Sequence, residues 1–306
     1  TERKIGLALS GGGSRAIAFH LGCLRALHKL GILEKISAIS CVSGGSVIGA
    51  CLIAHEGNFE SFEQKVRDLL ADGLAKRMTR LAFSCTGLKI LAALTLSLIA
   101  AFIFGCLRTF GRILSMFRYS AKIGYRLTAL RSPMRRFASR TTLLELSLDE
   151  ALFKGRLLND FPIHPNLVIN ATELRTGSGF RFGVRESGSW RWGRLRSNAI
   201  PIAHAVAASA AYPLFLPAFD ELLDFEHRGQ RQRNRVILTD GGVYDNLGVS
   251  CFWPERYPEI SLDVDKVDTI LCCSAGYGLR NEPPSQFFIA RMTSALSTTF
   301  VRAQAS

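Results

Sequence analysis

Twice near its start, the chain runs from a short apolar stretch through a turn of glycine and serine directly into an apolar stretch with helical spacing. "KIGLALSGGG" leads into "RAIAFHLGCLRALHKLG", closed by Gly31, and "ISAIS" leads through Ser43 into "SVIGACLIAH". Strand, tight turn and helix in succession leave few choices other than an α/β fold with a mainly parallel central sheet. In such sheets the chemistry collects where strands end and helices begin. The Gly11–Gly13 turn and the Ser43 turn both occupy that position, so the sequence predicts them to be neighbours.

The downstream pattern is compatible. "NLVINATEL" and "GSGFRFGV" read as strands, "IPIAHAVAASAAYPLFLPAF" as a small-residue helix ended by prolines, and "RVILTDGGVYDNLG" as a strand entering an acid-glycine turn. "VDTILCCSAG" reads as a further strand, and "PPSQFFIARMTSALSTTFVRAQ" as a closing helix.

The middle of the chain follows another rule. The net charge of +13 is local: from Gly73 to Leu144 there are thirteen Lys and Arg and no Asp or Glu, and the remainder of the chain is neutral. Inside that stretch Ile90 to Leu107 is an uncharged apolar run of eighteen residues, near the lower limit for crossing a bilayer. Arginines among leucines and aromatics follow it. This combination predicts a helical insertion over about 75–141 that docks on an anionic membrane surface. The competing reading is an apolar helix packed on protein with solvated arginines around it. Nucleic acid fits poorly beside so long an apolar run.

The eight cysteines form no C-x-x-C pair and sit mostly in apolar stretches, as reduced core thiols do. "TERKIGLALSGGG" passes from charge into a strand without a signal-peptide pattern, and Thr1 in place of Met points to a start further upstream. A reducing setting, on the cytoplasmic side of a membrane, is the expectation.

Three turns could carry chemistry. "SCVSGGS" places Ser43 among the small residues of a strained strand-to-helix elbow, with Cys41 where G-x-S-x-G has its first glycine. The plainer reading is a capping serine at a helix start. "SGGGSR" can aim backbone N–H groups at an anion, so Gly11, Gly12 and Gly13 suit an oxyanion site with Arg15 close behind. The alternatives are a phosphate cradle, for which the G-K-[ST] ending is missing, or a turn that binds nothing. "TDGGVYDNLG" sets Asp240 at a strand end, able to take a proton from serine directly or to orient a histidine. His20, His28 and His204 lie in helical patterns that suit structural roles, and no histidine follows Asp240, so a Ser43–Asp240 dyad is the simpler assignment.

Taken together and in this order, "LSGGGSRAIAFHLGCLRAL", "SCVSGGSVIGA", "AVAASAAYPLFLPAF" and "TDGGVYDNLG" resemble the patatin-like phospholipases, relatives of the cytosolic phospholipase A2 catalytic domain. The resemblance covers about residues 3–60 and 165–276. It implies a three-layer α/β/α fold, one acyl-hydrolase domain over 1–306 carrying the 75–141 insertion, and cleavage of fatty acyl esters of membrane lipids through an acyl-enzyme. Ser43 would be the nucleophile, Asp240 the base and Gly11–Gly13 the oxyanion hole. Arg15, Gly44, Gly45, Gly241 and Gly242 would support the site loops, with no metal and no cofactor. An acyltransferase using the same dyad and a non-catalytic lipid-binding protein remain open. Cys41, and Ala16 in place of the glycine that often follows the basic residue, depart from the family pattern.

Overall fold

The computed structural model describes residues 3–117, 121–130, 139–253 and 266–276, and between 287 and 298 positions 287, 288, 290–292, 294, 295 and 298. The two opening units form as the pattern predicts: β1 (Ile5–Leu9), α1 (Gly13–Lys29), β2 (Ile36–Val42) and α2 (Gly44–Ala54). Helix α1 buries Ala16, Ile17, His20, Leu21 and Leu24, a single helical stripe, and turns its charged face outward. Helix α2 is buried almost all round, which accounts for its lack of polar side chains other than Ser46. Then come α3 (Phe59–Asp72), α4 (Leu74–Ala82), α5 (Cys85–Ser115), α6 (Ala121–Ala129) and α7 (Arg140–Leu148).

The second half supplies β3 (Asn166–Glu173), β4 (Ser178–Gly183), β5 (Ser187–Ser189), β6 (Gly193–Leu195), α8 (Ile202–Ser209), β7 (Phe219–His227), β8 (Gln230–Asp240) and β9 (Thr269–Cys273). Strands β9, β1, β2 and β3 are the parallel block expected at the centre. Beyond β3 the sheet is antiparallel, so as a whole it is mixed: β3 pairs with β4, and β4 to β8 follow one another until β8 returns to β3. The antiparallel strands therefore close a ring, and Phe180, Phe182 and Phe225 are fully buried within these strands.

Strand β3 sets the geometry of everything that follows. Its residues 168–173 pair with β4 on one edge. On the other edge β2 runs alongside in parallel as far as Val42 opposite Asn170, and β8 comes down antiparallel to end with Asp240 opposite Ala171. The two strands meet head-on, one register position apart.

The main core unites Leu7, Leu9, Ile39 and Cys41 of the parallel strands with α1, α2, α3, α7 and α8. Alternation sends Ala8 and Ala38 to the other face, against Cys251 and Phe252. The predicted closing helix lies largely outside the described residues.

Helix α5 extends the apolar run in both directions, because Ser84 caps its start, accepting from the Gly87 N–H at 3.2 Å, and Arg108 and Arg112 continue it. At 31 residues it is roughly 46 Å long. By length and composition it could cross a membrane, and none of its apolar window is buried. Helix α6 packs on it backbone to backbone: a Cβ on Gly111 would lie 2.9 Å from the Gly124 carbonyl oxygen, and one on Gly124 2.4 Å from the Ser115 nitrogen. Arg118, Arg131, Arg135 and Arg136 lie outside the described residues.

The histidines in helices have structural partners. His20 is buried with Nε2 2.8 Å from the Ser10 carbonyl oxygen, and burial lowers its pKa. His204 on α8 lies between Glu145 of α7 (3.3 Å) and Glu221 of β7 (3.1 Å). Burial alone would discharge that ring; the two carboxylates overrule it and hold its pKa at about 10. A folded-state pKa raised this far contributes stability below the unfolded value near 6.5, lost only as pH climbs toward 10. His204→Gln should therefore lower unfolding stability at pH 7 by about 2–3 kcal/mol, measured by urea denaturation, since it leaves two half-buried carboxylates without the cation between them.

Candidate active site

Ser43 follows β2 at φ 51° and ψ −118°, a backbone conformation costly for a side-chain-bearing residue, on the order of 1–3 kcal/mol. It stands at the N-cap of α2 yet makes no capping bond. Its hydroxyl instead lies close enough to Asp240 to pull that carboxyl's pKa down, and both side chains line one cavity. The neighbouring residues hold the strain in place. The Ser43 N–H donates to Ser209 Oγ at 2.9 Å, and Ser209 Oγ donates to the Asn170 carbonyl at 2.6 Å. Ser46 Oγ shares a hydrogen bond with Ser209 Oγ at 2.7 Å.

Gly44 and Gly45 are required by space. A Cβ on Gly44 would fall 2.1 Å from the Gly13 carbonyl oxygen, and one on Gly45 2.3 Å from that of Leu9. The elbow and the glycine turn thus touch backbone to backbone, as their common position at strand ends predicted. Cys41 lies one strand residue further back, fully buried, with its thiol donating to the Val168 carbonyl at 3.3 Å. A Cβ on Gly49 of α2 would lie 3.3 Å from Cys41 Cβ, so the glycine opposite leaves room for it. Ala16 is buried beneath the glycine turn, on the first turns of α1.

Asp240 arrives from the opposite direction on the same edge of β3. Its N–H donates to the Ala211 carbonyl and the Gly241 N–H to the Ser209 carbonyl, both at 3.1 Å. A Cβ on Gly241 would lie 2.2 Å from the Asn170 carbonyl oxygen. The carboxylate accepts the Gly242 N–H at 2.8 Å. Burial raises its pKa to about 6, against the opposing pull of the Ser43 hydroxyl and the Gly242 N–H.

In the glycine turn, Gly12 and Gly13 adopt φ 144° and 62°. The Gly11 N–H donates to the Asn246 carbonyl at 3.0 Å, which removes Gly11 from the donors assigned to an anion. It tethers the turn instead. Gly12, Gly13, Ser14 and Arg15 line the cavity at the start of α1, a helix with no acidic residue in its first turn, so its positive end faces the cavity uncompensated. The Arg15 guanidinium donates to the Gly276 carbonyl.

Ser43 and Asp240 open on this cavity of about 380 Å³. Its remaining walls are apolar: Ile17 and Val47 from the core helices, Phe215 and Leu216 after α8, and Leu74 and Leu144 from α4 and α7. Among the described residues no group of three His, Cys, Asp or Glu side chains could hold a metal ion.

Sequence reasoning missed Ser209, Asn170 and Asn246. Ser209 and Asn246 stood inside motifs already singled out, "AVAASAAYP" and "TDGGVYDNLG". Their roles are long-range contacts; Ser209 is 166 residues from the serine whose N–H it receives. Because the folded-state pKa of Asp240 is raised, its ionisation removes stability as pH rises from about 4 to about 6. Asp240→Asn should keep the Gly242 bond and raise Tm at pH 7.5, by on the order of 2–3 kcal/mol of added stability, with the difference disappearing at pH 4. Thermal melts at both values measure it.

A family model described as patatin-like phospholipase matches residues 7–253. Among solved structures, VipD from Legionella pneumophila is similar at 15% identity and a TM-score of 0.39, covering 80% of this chain and 47% of that one. Human GIVD cytosolic phospholipase A2, in complex with methyl gamma-linolenyl fluorophosphonate, is similar at 19% identity and a TM-score of 0.36, covering 67% of this chain and 29% of that one. The chain thus spans less than half the length of either structure. No curated protein matches it.

Proposed function

The chain belongs to the patatin-like phospholipase family, and on that premise we propose that it is a serine acyl hydrolase cleaving fatty acyl esters of membrane lipids. The observation that carries this reading is the meeting of Ser43, on its strained turn, with the buried Asp240 carboxylate on the wall of one apolar cavity. Ser43 Oγ attacks the acyl carbonyl carbon while its proton passes to Asp240. Negative charge then develops on the carbonyl oxygen, where the N–H groups of Gly12 and Gly13 and the positive end of α1 stabilise it. Collapse breaks the ester bond, and the departing alcohol takes the proton from Asp240. Water, deprotonated by the same carboxylate, attacks the acyl-enzyme and frees the fatty acid. Burial serves this chemistry, since a carboxylate with a pKa of about 6 is a stronger base than an exposed one and is still ionised at pH 7.

In the same reading the chain is one domain, and residues 75–141 are its membrane-docking insertion on the cytoplasmic side. Phe102 is 73% exposed, and Leu88, Leu91, Leu96 and Leu98 are exposed with it. Arg108, Arg112, Lys122 and Arg126 stand on α5 and α6, and each basic residue near an anionic surface is worth about 1 kcal/mol. A single crossing by α5 would put Ser43 and Asp240 on opposite sides of the bilayer. Lying in the interface keeps them together.

A serine-reactive fluorophosphonate should label the parent, fail entirely on Ser43→Ala, and label Asp240→Asn at least about 100-fold more slowly. An unlabelled folded parent would sink the dyad. Turnover of a soluble ester should rise with pH through an apparent pKa near 6 and then level off. Binding to anionic vesicles, followed by flotation, should weaken sharply in Phe102→Asp and with added salt; equal binding to zwitterionic vesicles at all salt levels would contradict the docking reading.

A further inference from the structure

The two residues that flank the insertion both reach the cavity. Leu74 is the first residue of α4, where the insertion leaves the core, and Leu144 lies on α7, where it returns. Both line the cavity. The polar end of the cavity is built from the glycine turn, the elbow and the Asp240 turn, all belonging to the α/β core.

Each leucine is held by more than its own packing. On α7, Thr141 Oγ1 donates to the Pro217 carbonyl at 2.5 Å, next to the cavity residues Phe215 and Leu216, and Glu145 is paired with His204. On α4, Met78 packs on the core beside Leu74. The corner from α4 into α5 has no slack: Ser84 Oγ donates to the Leu81 carbonyl at 2.6 Å, and a Cβ on Gly87 would sit 2.2 Å from the Ala82 carbonyl oxygen. A wall fixed this firmly discriminates by volume, because close-packed side chains do not yield to an extra methylene without cost.

We propose that the two ends of the insertion set which acyl chains the site accepts, with Leu74 and Leu144, the cavity residues that flank it, as specificity-determining residues. This rests on the acyl-ester reading of the site given above. Leucines at the insertion's two ends would couple the element that meets the lipid surface to the cavity that selects from it.

Binding separates this idea from catalysis. In the Ser43→Ala protein, cis-parinaric acid fluorescence reports occupancy, and displacement by saturated fatty acids from octanoate to stearate gives a chain-length profile. Leu74→Trp, at a half-buried position, and the milder Leu144→Phe should each weaken palmitate at least about tenfold while leaving octanoate within about twofold. Leu74→Ala should move the preference toward longer chains. Equal shifts at all lengths, or an unchanged profile in folded Leu74→Trp, would overturn the proposal, as would failure of the Ser43→Ala protein to bind any acyl chain. A chain-length-dependent profile in a protein that turns over no ester would support the wall and reject the hydrolase.

Discussion

Everything at the candidate site depends on one edge of one strand. β2 and β8 travel in opposite directions along the same side of β3 and stop at Asn170 and Ala171. Hydrogen-bond register therefore fixes where the two chain ends meet, before any side chain contributes. What leaves β2 is Ser43, and what ends β8 is Asp240. Their partnership across the sequence is a consequence of sheet pairing, and β4 on the opposite edge holds β3 in place over residues 168–173.

The second constraint is close approach of main chains. Gly44 and Gly45 lie against the carbonyls of Gly13 and Leu9, and Gly241 against that of Asn170. Three turns converge so tightly that side chains are excluded from the contact, and Ser209 bridges the elbow and the Asp240 turn through its hydroxyl and its carbonyl. Such a site is preorganised by backbone, with the strain at Ser43 borne by its neighbours rather than relaxed. His204 extends the same logic outward, since the helix that carries Ser209 is also tied to α7 and β7 by a charged ring between two carboxylates.

Much of this was legible in the sequence because local pattern and global fold agree there. The opening strands and helices have apolar periodicities that match their burial, and Ser43, Asp240 and the glycines sit in turns whose composition announces close packing. The antiparallel ring was not legible. β7 reads "FDELLDFEH", too charged for a core strand; it pairs with β8 along its whole length, with Phe225 its one buried side chain and Asp220 and Asp224 meeting Arg235 and Arg233 of β8. Cross-strand ion pairs leave no period in either strand alone. Nor could composition tell that Gly11 spends its N–H on Asn246, since that depends on a turn more than two hundred residues away.

The head-on meeting of β2 and β8 also orders events during synthesis. Chains fold from the N-terminus as they emerge, and α5 is complete long before the residues that close the ring are made. The nascent protein thus presents its apolar helix while Ser43 still lacks Asp240 beside it. On the reading proposed above, a chain held at a membrane by that helix would be inert toward the surface it rests on, and would become competent only when β8 slots in beside β3.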